Sequence, residues 1–194
     1  MAHTHELLAS RWSPSIFDPR HELARADLEL LLTAARWAPS SGNTQPWSFL
    51  VGLRGDPTHR MVVESLSRGN SGWAPPASAL LVALAQVAED PDAPGGKGGI
   101  GTYAEYALGQ AVAHLTVQAR AMGLHTHQFA GFDHDRIANE AQVPAHVKVV
   151  VGIAVGRHGD PATAEDSLVE REARPRSRKP LEAFVFAGRW GRPW

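Results

Sequence analysis

The sequence contains no cysteine at any of its 194 positions. Disulfide bonds, cysteine-ligated zinc, iron–sulfur clusters and a thiolate nucleophile are therefore excluded. A chain without cysteine is compatible with a reducing compartment, and we expect a cytoplasmic protein.

The chain also lacks a surplus of charge of one sign. Nineteen Lys and Arg residues stand against 20 Asp and Glu residues, which gives a formal net charge of −1. Duplex nucleic acid and anionic membranes are bound mainly through excess positive charge, so neither is expected as a partner.

Long apolar runs are missing as well. The most apolar stretch, Ala79–Ala85, is far shorter than the roughly 20 residues that a spanning helix needs. Met1–Glu6 has neither a cationic start nor a long apolar core, so we expect no secretory signal. With 43% hydrophobic and 20% charged residues, the sequence predicts one domain over residues 1–194.

The apolar residues that are present predict alternating helices and strands. The clearest helical period covers Ala26–Trp37, and the longest predicted helix, Thr102–Met122, is ended by Gly123 and packs through Tyr106, Leu108, Leu115 and Met122. Shorter helices are predicted before Arg11, from Asp56-Pro57 to Leu66 and from Asp133 to Ala141. Strands are predicted at Trp47–Val51, Ala79–Ala85, Leu124–Phe129 and Val147–Val155, and a mobile loop at Asp90–Gly99. This irregular order indicates an α+β fold with a mixed sheet.

Two basic segments contain groups that suit a phosphate. Arg11 and Ser13 lie two residues apart and can both donate to phosphate oxygens, although such a pair is often structural or solvated. Arg176 and Arg178 lie on one side of an extended chain within the basic run 171–179, which could equally be a solvated face.

A third polar segment, Pro39–Trp47, combines hydroxyl and carboxamide side chains between a helix and a strand. The simpler interpretation is a turn whose Ser and Asn side chains bond their own backbone. The alternative is a site for a heteroaromatic ring, because carboxamides donate and accept hydrogen bonds at once.

Histidine could in principle supply a metal site. His125 and His127 share one face of a predicted strand, and His134 follows shortly after them. The sequence has no HExxH motif, and Asp133–Asp135 is typical of a helix cap, so no metal is expected. Gly-x-Ser-x-Gly, phosphate-loop and dinucleotide fingerprints are also absent.

Taken in chain order, these segments resemble the FMN-dependent nitroreductase family. The most specific segment, from Ala34 to Trp47, is similar to the family's A-P-S-S-x-N-x-Q-P-W motif. Further similarity comes from Arg11-Trp12-Ser13, Gly69-Asn70 with Trp73, Gly123-Leu124 with Gly131-Phe132-Asp133, and Arg176–Glu182. The resemblance covers almost the whole chain, from about Glu6 to Trp194.

The resemblance implies a nitroreductase-like mixed β-sheet flanked by helices in an intertwined homodimer. Two FMN sites would lie at the subunit interface, and the basic and aromatic tail, residues 171–194, would wrap the partner subunit. NADH or NADPH would be the co-substrate, and a small molecule would accept the electrons.

The resemblance also assigns site residues. Arg11, Ser13, Arg176 and Arg178 would bind the FMN phosphate, Ser40, Asn43 and Gln45 would reach the flavin from the other subunit, and Asn70 would bond its pyrimidine edge. Backbone N–H groups near Ala130 and Gly131 would face flavin N5, so no side chain is assigned as a catalytic acid or base. Trp12, Ser15, Pro39, Ser41 and Phe129 complete the expected cofactor-binding set.

Three positions depart from the family pattern. Ser15 stands where a cation usually stabilises reduced flavin, Trp73 stands where some members have Lys, and Trp12 replaces a frequent Arg or His. We therefore expect a more negative flavin potential and an altered choice of substrate.

The function expected from the resemblance is a ping-pong transfer of electrons from NAD(P)H through flavin N5 to a flat, electron-poor acceptor such as a nitroaromatic or a quinone. The alternatives are an FMN-dependent dehydrogenase or dehalogenase of one metabolite, and a flavin-binding protein without catalysis.

Overall fold

A computed structural model of the chain describes residues 4–92 and 101–194. Its strands are β1 (Trp47–Leu53), β2 (Ala79–Gln86), β3 (His125–Phe129) and β4 (Val147–Gly156). Its α-helices are α1 (Glu6–Ser10), α2 (Arg25–Arg36), α3 (Pro57–Ser65), α4 (Arg68–Ser71), α5 (Ala104–Ala121), α6 (His134–Glu140) and α7 (Asp166–Glu172). Short 3-10 turns occur at Ser41–Asn43, Pro161–Thr163 and Leu181–Ala183. The predicted α+β class is confirmed.

The four strands form one sheet in the order β1-β2-β4-β3, and each neighbouring pair is antiparallel. The prediction of a mixed sheet is wrong for the part of the chain that is described. Strands that run in the same direction are never adjacent, because β2 separates β1 from β4 and β4 separates β2 from β3. Alternating helices and strands therefore did not indicate parallel pairs here.

Helices cover both faces of this sheet. One apolar layer contains Leu31 of α2 together with Leu108 and Leu115 of α5. The other contains Val62 of α3 and Ile137 of α6. The central strands are buried on both sides, as their continuous apolar runs predicted.

Helix ends follow the predicted signals closely. The Asp133 side chain accepts a hydrogen bond from the Arg136 N–H at the start of α6, and Gly123 takes a positive φ of 74° just after α5. The prediction that Tyr106 packs in the core is wrong, since Tyr106 is 69% exposed. Leu108 and Leu115 lie on the opposite, buried face of the helix.

The loop predicted at Asp90–Gly99 falls largely outside the described residues. The tail folds back on itself, with Phe186 bridged to Pro193 and 4.8 Å from the ring of Trp190, and it leaves Leu181, Phe184, Trp190 and Trp194 exposed. Within residues 4–92 and 101–194, no helix is long and apolar enough to cross a membrane.

Candidate functional site

The two predicted phosphate-binding segments meet in one cavity of about 300 Å³. We call it the arginine cavity, and it is lined by Arg11, Trp12, Ser13, Ser15, His127, Arg171, Glu172, Arg174, Arg176 and Arg178. Guanidinium groups bind oxyanions through paired N–H donors, so this lining suits a phosphate.

Arg176 ties the C-terminal segment to the end of α1. Its guanidinium donates to the carbonyl oxygens of Arg11 at 2.6 Å and Ala9 at 2.7 Å. Ala9 lies in the last turn of α1 and Arg11 is its C-cap, where backbone acceptors lack intrahelical partners and a cation is favourable. The contact fixes Arg11 and Arg176 side by side across 165 positions of sequence.

The positive groups of the cavity repel one another. Burial lowers the pKa of Arg11, and the charges of Arg178 and Arg176 lower it further. A bound anion would remove this repulsion, since opposite charge favours the ionised form of each guanidinium.

Glu172, the single acid of the basic run 171–179, holds the N-terminal loop in place. Its Oε1 accepts hydrogen bonds from the backbone N–H groups of Ser15 and Ile16, the latter at 2.8 Å. Its Oε2 lies 2.8 Å from Nε2 of His158, and the side chain is only 9% exposed. The sequence carries one signal for this role, an isolated carboxylate among arginines.

Ser15 is itself only 2% exposed. The position at which the resemblance expects a cation is therefore a buried serine whose amide is bound by a carboxylate. An arginine substituted there would lack room and would meet Glu172 first, so it is a poor test of the flavin environment.

The sequence indicates His127 only as a possible metal ligand, and the structure gives its ring other contacts. Its Nδ1 lies 2.7 Å from the Pro14 carbonyl oxygen, and its ring stacks on Trp73 with centroids 4.0 Å apart. Burial lowers the pKa of His127, while the bond to Pro14 acts in the opposite direction. The other two candidates lie elsewhere, His134 on Phe132 and His125 beside His158. Among the described residues, no cluster of His and acidic side chains could hold a metal ion.

Asn70 and Gly131 form a second contact centre. Asn70 Nδ2 donates to the Gly131 carbonyl at 2.9 Å, and Asn70 Oδ1 accepts from Trp73 Nε1 at 3.1 Å. Trp73 therefore connects the Asn70–Gly131 pair to His127 in the arginine cavity.

The backbone around Gly131 is left with open donors. Within the described ranges, the N–H groups of Ala130 and Gly131 donate to no acceptor. The preceding residue, Phe129, is buried and packs over Gly152, where a Cβ would lie 2.2 Å from its ring. The two amides expected to face the flavin are available for a ligand.

The segment Pro39–Gln45 forms a tight turn with an unusual backbone. Gly42, Asn43 and Gln45 have φ values of 58°, 56° and 48°. Ser40 Oγ accepts from the Gln45 N–H at 3.0 Å, and Gln45 Nε2 donates to Asn43 Oδ1 at 3.2 Å. The turn interpretation is confirmed for Ser40, whose side chain bonds the backbone, whereas the Asn43 side chain bonds the Gln45 side chain instead. The ring-binding interpretation stays a prediction.

This turn lies apart from the arginine cavity. Pro39, Ser40 and Ser41 line a different cavity of about 490 Å³, together with Tyr103, Tyr106, Ala107 and Gln110 of the α5 region. The two cavities share no lining residue in the described chain. One chain thus brings together Arg11, Ser13, Arg176 and Arg178, but does not bring Ser40, Asn43 and Gln45 to them.

Comparison with known proteins places this geometry in a family. Residues 8–66 match the model of the nitroreductase family. The chain is 40% identical over 153 residues to the uncharacterized 15.4 kDa protein in the ask 5′ region of Mycolicibacterium smegmatis, covering 75% of this chain and 98% of that protein. It is 36% identical over 77 residues to the oxygen-insensitive NADPH nitroreductase of Helicobacter pylori strain J99, covering 40% of this chain and 36% of that one.

A solved structure extends the similarity to the whole fold. A crystal structure described as an oxidoreductase containing FMN superposes with a TM-score of 0.89 and 33% sequence identity. The superposition covers 97% of this chain and 93% of the other. The chain belongs to the nitroreductase family.

Proposed function

We propose that the chain binds FMN and transfers electrons from NADH or NADPH to a flat, electron-poor acceptor such as a nitroaromatic or a quinone. The observation that carries the proposal is the continuous series of contacts from the arginine cavity through His127, Trp73 and Asn70 to Gly131. Such a series matches a ligand with phosphate at one end and a polar ring at the other.

The described residues fit FMN at each end. The guanidinium groups of Arg11, Arg176 and Arg178 would hold the phosphate, with Ser13 as a further donor. Open backbone N–H groups at Ala130 and Gly131 would bond the ring. Bound FMN would supply hydride chemistry at N5, while the protein would supply position and electrostatics.

The roles of the chain's own residues then follow from their fixed positions. Asn70 is held by Gly131 and Trp73, so its amide would orient the ring edge without a conformational change. The apolar Trp73 and Phe129 would exclude water from that side of the site. The proposed reaction needs no strong acid or base from a side chain.

We further propose that the site is completed by a second copy of the chain. Ser40 lines a different cavity from the arginines, and Asn43 and Gln45 belong to the same turn as Ser40. In this proposal all three reach the ring of the partner's cofactor. The exposed aromatic tail would then wrap the other subunit, and residues 1–194 would act as one FMN-binding unit.

The spectrum of the purified protein tests the proposed function. A yellow protein with bound FMN, reduced by NADH or NADPH within seconds without oxygen, would support it. FMN that is reduced only by a single metabolite would indicate a dehydrogenase or dehalogenase instead. FMN that no reductant turns over would indicate a binding protein.

Removal of an arginine should weaken FMN selectively. Arg11→Ala or Arg178→Ala is expected to lower FMN affinity about 10- to 150-fold, the effect of losing a hydrogen bond to a charged group. Fluorescence titration measures the affinity. Riboflavin, which lacks the phosphate, should change little, and Arg60→Ala on the exposed side of α3 is the matched control. Equal losses for FMN and riboflavin would contradict the assignment.

Removal of the tail should disrupt the dimer. A chain lacking residues 181–194 loses the exposed aromatic side chains that have few partners in their own subunit. We expect insoluble or FMN-free protein, since aromatic anchors dominate interface energetics. Light scattering and flavin content measure the outcome. A folded monomer with a full complement of FMN would disprove the role of the tail.

A further inference from the structure

The arginine cavity contains one side chain that titrates near neutral pH, His127. We propose that His127 is a ligand for the anionic group bound in this cavity and that it binds this group as an imidazolium. The proposal rests on the proposed function only in taking the anion to be the phosphate of FMN.

Geometry fixes which ring nitrogen is available. The Pro14 carbonyl oxygen can only accept a hydrogen bond, so Nδ1 of His127 at 2.7 Å carries the proton. The remaining nitrogen, Nε2, has no partner among the described residues. Nε2 of His127 is also not fully buried, whereas the unpaired Nε2 of His59 and Nδ1 of His125 are. Since His127 lines the arginine cavity and its Nδ1 is bound to Pro14, Nε2 is the ring nitrogen left to pair with a ligand there.

The ring is prevented from turning away from the cavity. One face stacks on Trp73 at an interplanar angle of 22°, and Trp73 is only 2% exposed. Trp73 is held in turn by hydrogen bonds from Nε1 to Asn70 and to the Gly69 carbonyl. The imidazole is therefore oriented before any ligand binds, as effective binding groups usually are.

The surroundings of His127 oppose its protonation when no anion is present. Burial lowers the pKa of His127 most and the Arg171 charge lowers it further, while the hydrogen bond to Pro14 and the Glu172 carboxylate act in the opposite direction. The charged and titratable groups that face the same space are Arg11 of the N-terminal loop, Arg171 and Glu172 of α7, and Arg174, Arg176 and Arg178 of the following segment. The neighbouring histidine on β3, His125, faces His158 instead.

A phosphate in the cavity reverses this balance. It adds up to two negative charges beside Nε2, which favours the imidazolium and turns Nε2 from an acceptor into a donor. Protonation and phosphate binding are thermodynamically linked, so the contribution of His127 to affinity grows as pH falls. Arginines alone give no such dependence, because they stay charged throughout this range.

The test compares FMN affinity in the holoenzyme and two variants between pH 8.5 and pH 6. His127→Asn can keep a donor to the Pro14 carbonyl but removes the nitrogen that reaches the cavity. The ratio of wild-type to variant affinity is expected to rise from near 1 at pH 8.5 to about tenfold at pH 6, the scale of one charge-assisted hydrogen bond. Titration of the phosphate itself cancels in this ratio.

Two controls separate the phosphate from other causes. His125→Asn, on the same strand but facing His158, should give a ratio that does not change with pH. Riboflavin should also give a flat ratio for His127→Asn. A flat ratio for FMN would overturn the proposal, and an equal rise for riboflavin would do so as well, since it would place Nε2 against the ring.

A second measurement needs no flavin. Sulfate gains no proton in this pH range, so it serves as a simple anionic probe of the full-length chain. The His127 ring proton signals, followed by NMR, should titrate at higher pH with sulfate than without it. No change on adding sulfate would overturn the proposal even if FMN binds, whereas failure to bind FMN would count against the proposed function alone.

Discussion

Replacing Glu172 by alanine is expected to lower the free energy of unfolding by about 2–5 kcal/mol. The change leaves two backbone N–H groups, those of Ser15 and Ile16, without an acceptor at a site that is largely closed to water. Each buried donor without a partner costs about 1–3 kcal/mol, and the partner of His158 is lost as well. Urea unfolding followed by circular dichroism measures the loss.

The same helix supplies the control for this variant. Glu170→Ala removes an exposed carboxylate from α7 and should change stability by no more than about 0.5 kcal/mol. If Glu172→Ala were as stable as Glu170→Ala, the carboxylate would not be what holds the N-terminal loop. Glu172→Gln should fall between the two, since its amide oxygen can still accept from both N–H groups but carries no negative charge.

Replacing Gly131 by alanine is expected to reduce FMN affinity about 10- to 150-fold. A Cβ at this position would lie 2.5 Å from Ser67 Oγ and 2.7 Å from Asn70 Nδ2, so both side chains must move. Asn70 would lose its bond to the Gly131 carbonyl and its fixed orientation, a loss of about 1.5–3 kcal/mol if the bonds to the ring go with it. Flavin fluorescence on dilution measures the affinity.

Gly109→Ala is the matched control. Gly109 lies in α5 with no other atom within 4 Å of its would-be Cβ, and alanine is the better helix former. This variant should bind FMN normally and unfold at the same or a slightly higher temperature. Native FMN affinity in Gly131→Ala would show that the Asn70–Gly131 contact is not part of the site.

Most elements of the fold could be predicted because their signals are local. Strand β2 is an apolar run that begins after two prolines, and α6 begins at an aspartate that caps it. The strand order could not be predicted, because it depends on which segments pair across long stretches of chain. Val147–Gly156 inserts between β2 and β3, and nothing in its own sequence specifies those neighbours.

The residues of the candidate site likewise divide into those that could be predicted from the sequence and those that could not. Arg11 and Arg176 could be named together only through the resemblance, since 165 positions separate them. The sequence alone does not predict the contacts of His127 and Glu172, because their positions are set by residues distant in sequence. Pro14 lies 113 positions from His127, and Ser15 lies 157 positions from Glu172. Such a role leaves at most a weak local pattern, such as the isolated carboxylate of Glu172 among arginines.

The left-handed backbone of the Ser40–Gln45 turn has a conformational free-energy cost, and the step at which this cost arises affects ligand binding. Asn43 and Gln45 hold positive φ values that cost on the order of 1–3 kcal/mol each for residues other than glycine. This cost arises once, during folding. The Ser40 hydroxyl and the Asn43 side chain accept hydrogen bonds that stabilise the turn in this conformation. A molecule that arrives at the turn later meets polar groups that are already fixed, so little ordering remains to oppose its association.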